Sequence, residues 1–210
     1  LYLAEGAFFN RIGYGLTGAG RDLFSGIPPS MGWQGFGAMV FLVLWVLWVG
    51  REHLQAVFRK AFQGDPEVDD SGELLSYPMA VWGGIGGMIY LLLWLHQSGM
   101  AFVEAVLFLF ASFVIYTGMA RIVAETGVLY TWATVSPQSF VVNVLGSHAI
   151  SGYGMTSILL SYSLINYLRG LFMPALAHVA RFGDLVVARR RHLIVAVMAG
   201  TGIGLVVTLF

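Results

Sequence analysis

Long apolar runs, repeated along the chain and nearly free of charge, constrain this sequence more than any other feature. GFGAMVFLVLWVLWV, from about Gly35 to Val49, is followed by comparable stretches from about Pro78 to Leu95, Met100 to Ala120 and Leu193 to Phe210. Apolar blocks of about 18 to 20 residues match a hydrocarbon core of about 30 Å. Hydrocarbon offers backbone N–H and C=O groups no partner, so blocks of this kind cross it as helices. The composition agrees: 10% of residues are charged and mean hydropathy is +0.77, whereas soluble domains carry about a quarter charged residues. The expected fold is all-α, a polytopic transmembrane helix bundle with five or six membrane segments.

The segments between these runs give the organisation. Residues 1–31 mix Glu5, Arg11, Arg21 and Asp22 with aromatics and glycines and close on the breaker Ile27-Pro28-Pro29-Ser30, which reads as an interfacial segment ahead of a bundle over 32–210. The first span carries Trp45 and Trp48 near its end, where aromatic belts lie, and stops at Gly50-Arg51. From Arg51 to about Phe62, Leu54, Val57, Phe58 and Ala61 recur at helical spacing opposite Arg51, Glu52, Arg59 and Lys60, the pattern of a helix lying on a membrane surface. Gly64 to Glu73 then hold five of the eleven acids. Their order does not match an EF-hand, so they are expected to form a solvated loop. Pro78 opens the second span, His96-Gln97-Ser98-Gly99 is a tight reversal, and Gly83/Gly87 and Gly200/Gly204 have the four-residue spacing that lets helices pack closely in lipid. The chain begins Leu1-Tyr2-Leu3 and ends inside an apolar run, and it is read as a piece of a longer protein.

Charge placement sets the topology. Arg51, Arg59 and Lys60 in the 51–77 connection, and Arg169, Arg181, Arg189, Arg190 and Arg191 in the segment at 169–192, place both on the cytoplasmic side. The chain must then cross an even number of times between Arg121 and Arg169. A polar span over about 152–168 supplies one crossing, which leaves a broken or re-entrant element around 122–147, interrupted at Gly127 and Pro137. Irregular backbone at membrane depth survives only inside protein or along a wet cavity, and secondary transporters build their solute sites from such discontinuous helices.

Candidate chemistry collects in that region. Arg121 and Glu125, four apart, pair on one helical face, either as a coupling pair on a polar pathway or as the cytoplasmic end of the third span. Ser139, Asn143, Ser147, Ser151, Thr156, Ser157, Ser161, Ser163 and Asn166 form a hydroxyl and amide-rich run that serves either helix pairing or solute contact. Glu104 reads as an interfacial acid at the outer end of the third span. His96 and His148 lack companions at ligand spacing, and the chain has no cysteine, so no metal or cofactor is expected. Gly200-Thr201-Gly202-Ile203-Gly204 lacks the βαβ context of a nucleotide fingerprint, and no nucleophile elbow, HExxH or P-loop occurs, so catalysis is not expected. Zero net formal charge points to no nucleic-acid partner, and the triple arginine reads as a positive-inside anchor beside anionic headgroups.

Several short stretches also resemble a known family. Gln34-Gly35-Phe36-Gly37-Ala38, Leu44-Trp45, Gly50-Arg51-Glu52-His53-Leu54, Asp69-Asp70, Leu75-Ser76-Tyr77-Pro78, Ser98-Gly99-Met100, Arg121 with Ala124-Glu125, and Val142-Asn143-Val144-Leu145-Gly146 are similar to the C-terminal part of a bacterial multi-pass family catalogued as a domain of unknown function, itself distantly similar to oligopeptide transporters. The resemblance implies further spans before Leu1 and proton-coupled uptake of a small polar solute such as a peptide or chelate. It carries no established site residue. The resulting expectation is a permease of the bacterial inner membrane working by alternating access, with Arg121, Glu125, Ser139 and Asn143 as coupling or solute-binding residues. The alternative is a non-transporting structural or accessory subunit of a larger membrane complex, packed through its glycine faces, and a homo-oligomer fits either reading.

Overall fold

A computed structural model describes residues 29–65, 68–70, 73, 75–128, 133, 135–165, 176–179 and 191–209. The proposed interfacial segment before Pro29, the residues Thr131 and Trp132, and most of the basic segment before Arg191 lie outside the described residues. Among the described residues all regular structure is helical: α1 (Pro29–Val49), α2 (Arg51–Gln63), α3 (Tyr77–Gln97), α4 (Phe102–Thr126), α5 (Pro137–Leu145), α6 (Gly152–Ile165) and α7 (Arg191–Leu209). Three of these, over Gly32–Val49, Tyr77–Gln97 and Phe102–Thr126, are long and apolar enough to cross a bilayer. The chain is a helical membrane protein.

α1 passes directly into α2 at Gly50, whose N–H still reaches Val46 O at 2.9 Å while its own carbonyl accepts from Leu54. The amphipathic pattern of α2 turns Leu54, Val57 and Ala61 inward and leaves Arg51, Glu52 and Arg59 exposed. It docks on the start of α3 through Phe62 against Trp82, whose indole N–H also donates to Ala61 O at 3.3 Å, and through His53 edge-on to Tyr77. Gly64, at φ +69°, ends α2 in the left-handed conformation that glycine adopts at little cost.

The acidic connection differs from the expected solvated loop. Lys60 donates to Val68 O and pairs with Asp70 at 3.2 Å; Asp70 Oδ2 accepts the Tyr77 N–H at 3.2 Å; the Tyr77 hydroxyl donates to Glu73 at 3.4 Å. The reason lies at the start of α3, where the first N–H groups have no intrahelical partner and favour an anion. Asp70 supplies it, and Lys60 balances the charge.

α4 is the axis of the bundle. Small residues on it, including Ala111, Ser112 and Gly118, admit close neighbours, and Met39 of α1 lies 3.5 Å from where a Gly118 Cβ would stand. One apolar cluster joins Phe36, Met39 and Val43 of α1 to Ala111, Val114, Ile115 and Met119 of α4 and to Val135 and Phe140. A second joins Leu95 and Met100 to Ala105, Phe108, Val141, Ile150 and Ile158. Because Val135 and Phe140 pack with the middle of α4 and Val141 with its first turns, α5 runs back along α4 toward the α3–α4 turn. α4 extends beyond the expected span end at Ala120 to Thr126, and Arg121 and Glu125 pair at 2.5 Å along the added turn. Gly127, at φ +70°, then stops it. α5 is only nine residues long, about 14 Å at 1.5 Å per residue.

Burial pushes the Asp70 carboxyl up, but the Tyr77 N–H and Lys60 outweigh it, and the net shift is downward from 3.8. A depressed folded value means the strap is fully present above the unfolded value and is lost as pH falls through the lower, folded one. Pepsin cleavage of the 64–76 connection is therefore expected to rise as pH drops below 3.8, whereas Asp70→Asn should be cut readily at pH values where the native strap is intact. Equal cleavage of both proteins across that window would show that Asp70 does not hold the connection.

Candidate functional site

The interruption between α4 and α5 brings polar side chains into the bundle. Ser136, in extended conformation, caps α5 by accepting the Ser139 N–H at 3.1 Å, and Pro137 occupies the first helical position, where a missing N–H costs little. Gln138 follows, 1% exposed, and its Nε2 donates to Ser161 Oγ at 3.0 Å; Ser161 in turn donates to Ile158 O at 2.6 Å. The Tyr162 hydroxyl lies 3.4 Å from both Ser136 Oγ and Ser139 Oγ, which are 3.0 Å from each other. A buried amide and hydroxyl that bond each other avoid the desolvation penalty that either would suffer alone.

α6 presents one continuous buried face, Gly154, Ser157, Ile158 and Ser161, spaced by three and four residues. Its first turns pack on the α3–α4 reversal. Ser151 Oγ accepts the Gly154 N–H at 3.0 Å, and Ser157 Oγ donates to Ser98 O. Gly99 sits at φ +104°, a backbone angle that favours glycine, and Ser157 Oγ lies 3.2 Å from where its Cβ would be. Glu104, read as an interfacial acid at the outer end of its span, is 3% exposed: its carboxylate accepts the Ala101 N–H at 2.9 Å and lies against Gly154, where a Cβ would stand 3.0 Å from Cδ. Between α3, the reversal and α6 lies a half-open cavity of about 250 Å³, bounded by Trp94, Leu95, Ser98, Met100, Ser157, Leu160 and Ser161.

Of the residues singled out from the sequence, Ser139 and Ser161 join the polar cluster, and Ser157 seats α6 on the reversal. Asn143 is one turn further along α5, exposed, with its amide donating to Ser139 O at 2.7 Å. Arg121 and Glu125 form their ion pair at the far end of α4, both about half exposed, and no hydrogen bond or ion pair joins them to Ser139 or Asn143. Gly83, Gly87, Gly200 and Gly204 have nothing within 4 Å of where a Cβ would stand, so their faces are not packed against other described residues. Gln138, Tyr162, Ser98 and Glu104 were not read as site residues. A glutamine directly after a proline in an apolar stretch was the available signal for Gln138; the others come together only in three dimensions. On α4, Ser112 Oγ and Tyr116 OH, one turn apart, are buried without a hydrogen-bond partner among the described residues. No group of three or more His, Asp or Glu among the described residues is placed to hold a metal ion.

The chain belongs to DUF6785, a family of unknown function. The match spans residues 3–210. No curated protein and no solved structure matches the chain, and nothing in these comparisons ties this DUF6785 member to oligopeptide transporters.

Two substitutions should move stability in opposite directions. Gly154→Ala forces a methyl into the Glu104 carboxylate and should cost about 1–3 kcal/mol. Tyr116→Phe removes a buried hydroxyl that has no described partner and should be neutral or stabilising by up to about 1 kcal/mol. Thermal unfolding of the detergent-solubilised protein checks both; a Gly154→Ala protein as stable as the parent would show that α6 is not seated on Glu104.

Proposed function

We propose that this chain is part of a multi-pass permease of the bacterial inner membrane, moving a small polar solute by alternating access along the seam between α5 and α6. In this reading α1, α3 and α4 are full spans, the broken or re-entrant element around 122–147 is a fourth membrane segment, and α6 and α7 bring the number to six. The observation that carries it is the buried Gln138–Ser161 pair at the start of a half-length helix packed against the middle of α4. Half-helices at mid-depth, with polar side chains at their broken ends, are the usual construction of transporter solute sites. Ser139 and Asn143 would contact the solute. Arg121 and Glu125, reachable from water at the end of α4 that carries the cytoplasmic charge, would serve as the coupling pair, with Glu125 taking and releasing the proton.

The absence of cysteine allows a direct test. Single cysteines at Glu125, Thr131, Ser139 and Asn143 in the full-length protein are expected to react with impermeant thiol reagents, and the side from which Ser139→Cys is reached should change when a proton gradient is imposed. Glu125→Gln should abolish that response, and Gln138→Leu should weaken it, while both variants still insert in the membrane. A side preference that ignores the gradient in the parent would remove the alternating-access reading, and an unaltered response in Glu125→Gln would remove Glu125 from the mechanism.

The open Gly83/Gly87 face of α3 favours a second reading, a non-transporting subunit that docks another helix there. Loss of co-purifying membrane partners in Gly83→Leu, with all four cysteines unreactive from both sides, is its expected signature.

A further inference from the structure

The cavity bounded by Trp94, Leu95, Ser98, Met100, Ser157, Leu160 and Ser161 has a hydrogen-bonding character that its composition hides. Each of its three serine hydroxyls has already given its proton to a backbone carbonyl: Ser98 to Trp94 O at 2.8 Å, Ser157 to Ser98 O, and Ser161 to Ile158 O at 2.6 Å. A hydroxyl has one proton and two lone pairs, so what remains is acceptor capacity, in full at Ser98 and Ser157 and in part at Ser161, which also accepts from Gln138. The backbone donors are spent as well. Ser98 N–H reaches Trp94 O at 2.9 Å, Gly99 N–H reaches His96 O at 3.1 Å, and Met100 N–H reaches Leu95 O at 3.2 Å. The N–H groups of Ser157, Leu160 and Ser161 lie inside α6, where the helix uses them. Among the lining residues only the Trp94 indole N–H remains as a donor, on a side chain 42% exposed. No lining residue carries a charge, so an ion of either sign would lose its hydration for no counter-charge.

We infer that this cavity binds a small, uncharged polar molecule that donates hydrogen bonds, such as a short alcohol or amide, and that it rejects anions, cations and molecules that can only accept. Its volume of about 250 Å³ corresponds to about eight waters at about 30 Å³ each, which limits the ligand to a short chain or a single ring. Ser161 belongs both to the cavity wall and to the Gln138 pair, so this ligand is the solute of the proposed pathway and its class rests on that reading. Zwitterionic peptides, which bring a carboxylate needing several donors, do not fit.

Met100 is 1% exposed and its replacement leaves all three serines in place. A Met100→Cys variant of the full-length chain, lacking other cysteines, would be labelled with neutral methyl methanethiosulfonate, with Leu95→Cys as a second position should the first fail to fold and exposed Tyr153→Cys as control. 1-Butanol is expected to slow labelling at the cavity position and not at the control. Its isomer diethyl ether, which accepts but cannot donate, should protect about fivefold less, the worth of roughly one hydrogen bond. Butyrate and butylammonium should not protect, and the preference for butanol over ether should persist in a Trp94→Phe background, where the last donor is gone. Equal protection by ether, protection by either ion, or failure of both cysteines to react would overturn the assignment. Selective protection by butanol, alongside a Ser139→Cys side preference that ignores the proton gradient, would keep the ligand class and remove the transport role. A gradient-dependent Ser139→Cys without butanol selectivity would do the reverse.

Discussion

A helix end leaves backbone N–H and C=O groups without intrahelical partners, and the most informative part of this fold lies where α4 stops and α5 begins. α4 ends at Gly127, whose left-handed conformation lets its N–H close on Val123 O at 3.0 Å. The chain resumes helix at Pro137 with Ser136 as cap. Where helix resumes, α1, α4 and α6 pack around α5. Phe140 packs against Trp33, Phe36 and Phe110 with ring centroids 4.9 to 6.0 Å away, which fixes α5 from one side, and the Gln138–Ser161 bond fixes it from the other.

The far end of the same assembly is held by small residues and a buried acid. Gly99 permits the reversal between α3 and α4, Gly154 permits α6 to approach Glu104, and Glu104 satisfies the Ala101 N–H that the start of α4 leaves open. Two helices therefore share one carboxylate as a packing element, and the cavity beside it inherits walls whose donors are already committed. The polar character of the region is thus directional: it offers lone pairs far more than protons.

On the opposite side, charge is used for attachment. Lys60 and Asp70 tie the acidic connection to the first turn of α3, and Arg51 bonds Trp48 O while lying 4.9 Å from the Trp48 ring, close to where α1 turns into α2. These contacts hold α2 against the start of α3 and leave α3 itself almost wholly exposed, including its glycine face.

Much of the architecture was legible beforehand. Apolar length located α1, α3 and α4, the 3.6-residue period located α2, and Gly127 and Pro137 marked the break, because each of these signals acts through local backbone physics that a sequence displays directly. The pairing of Arg121 with Glu125 was legible for the same reason, being set by helical spacing alone. What the sequence could not display was depth and neighbourhood. Nothing local shows that α6 lies across Glu104, that Asp70 meets the open end of α3, or that Ser161 lies opposite Gln138. The class of protein followed from hydrophobic length, an additive property of consecutive residues. The identity of the polar seam and the donor-poor cavity depended on which side chains meet across separate helices, and only tertiary packing decides that.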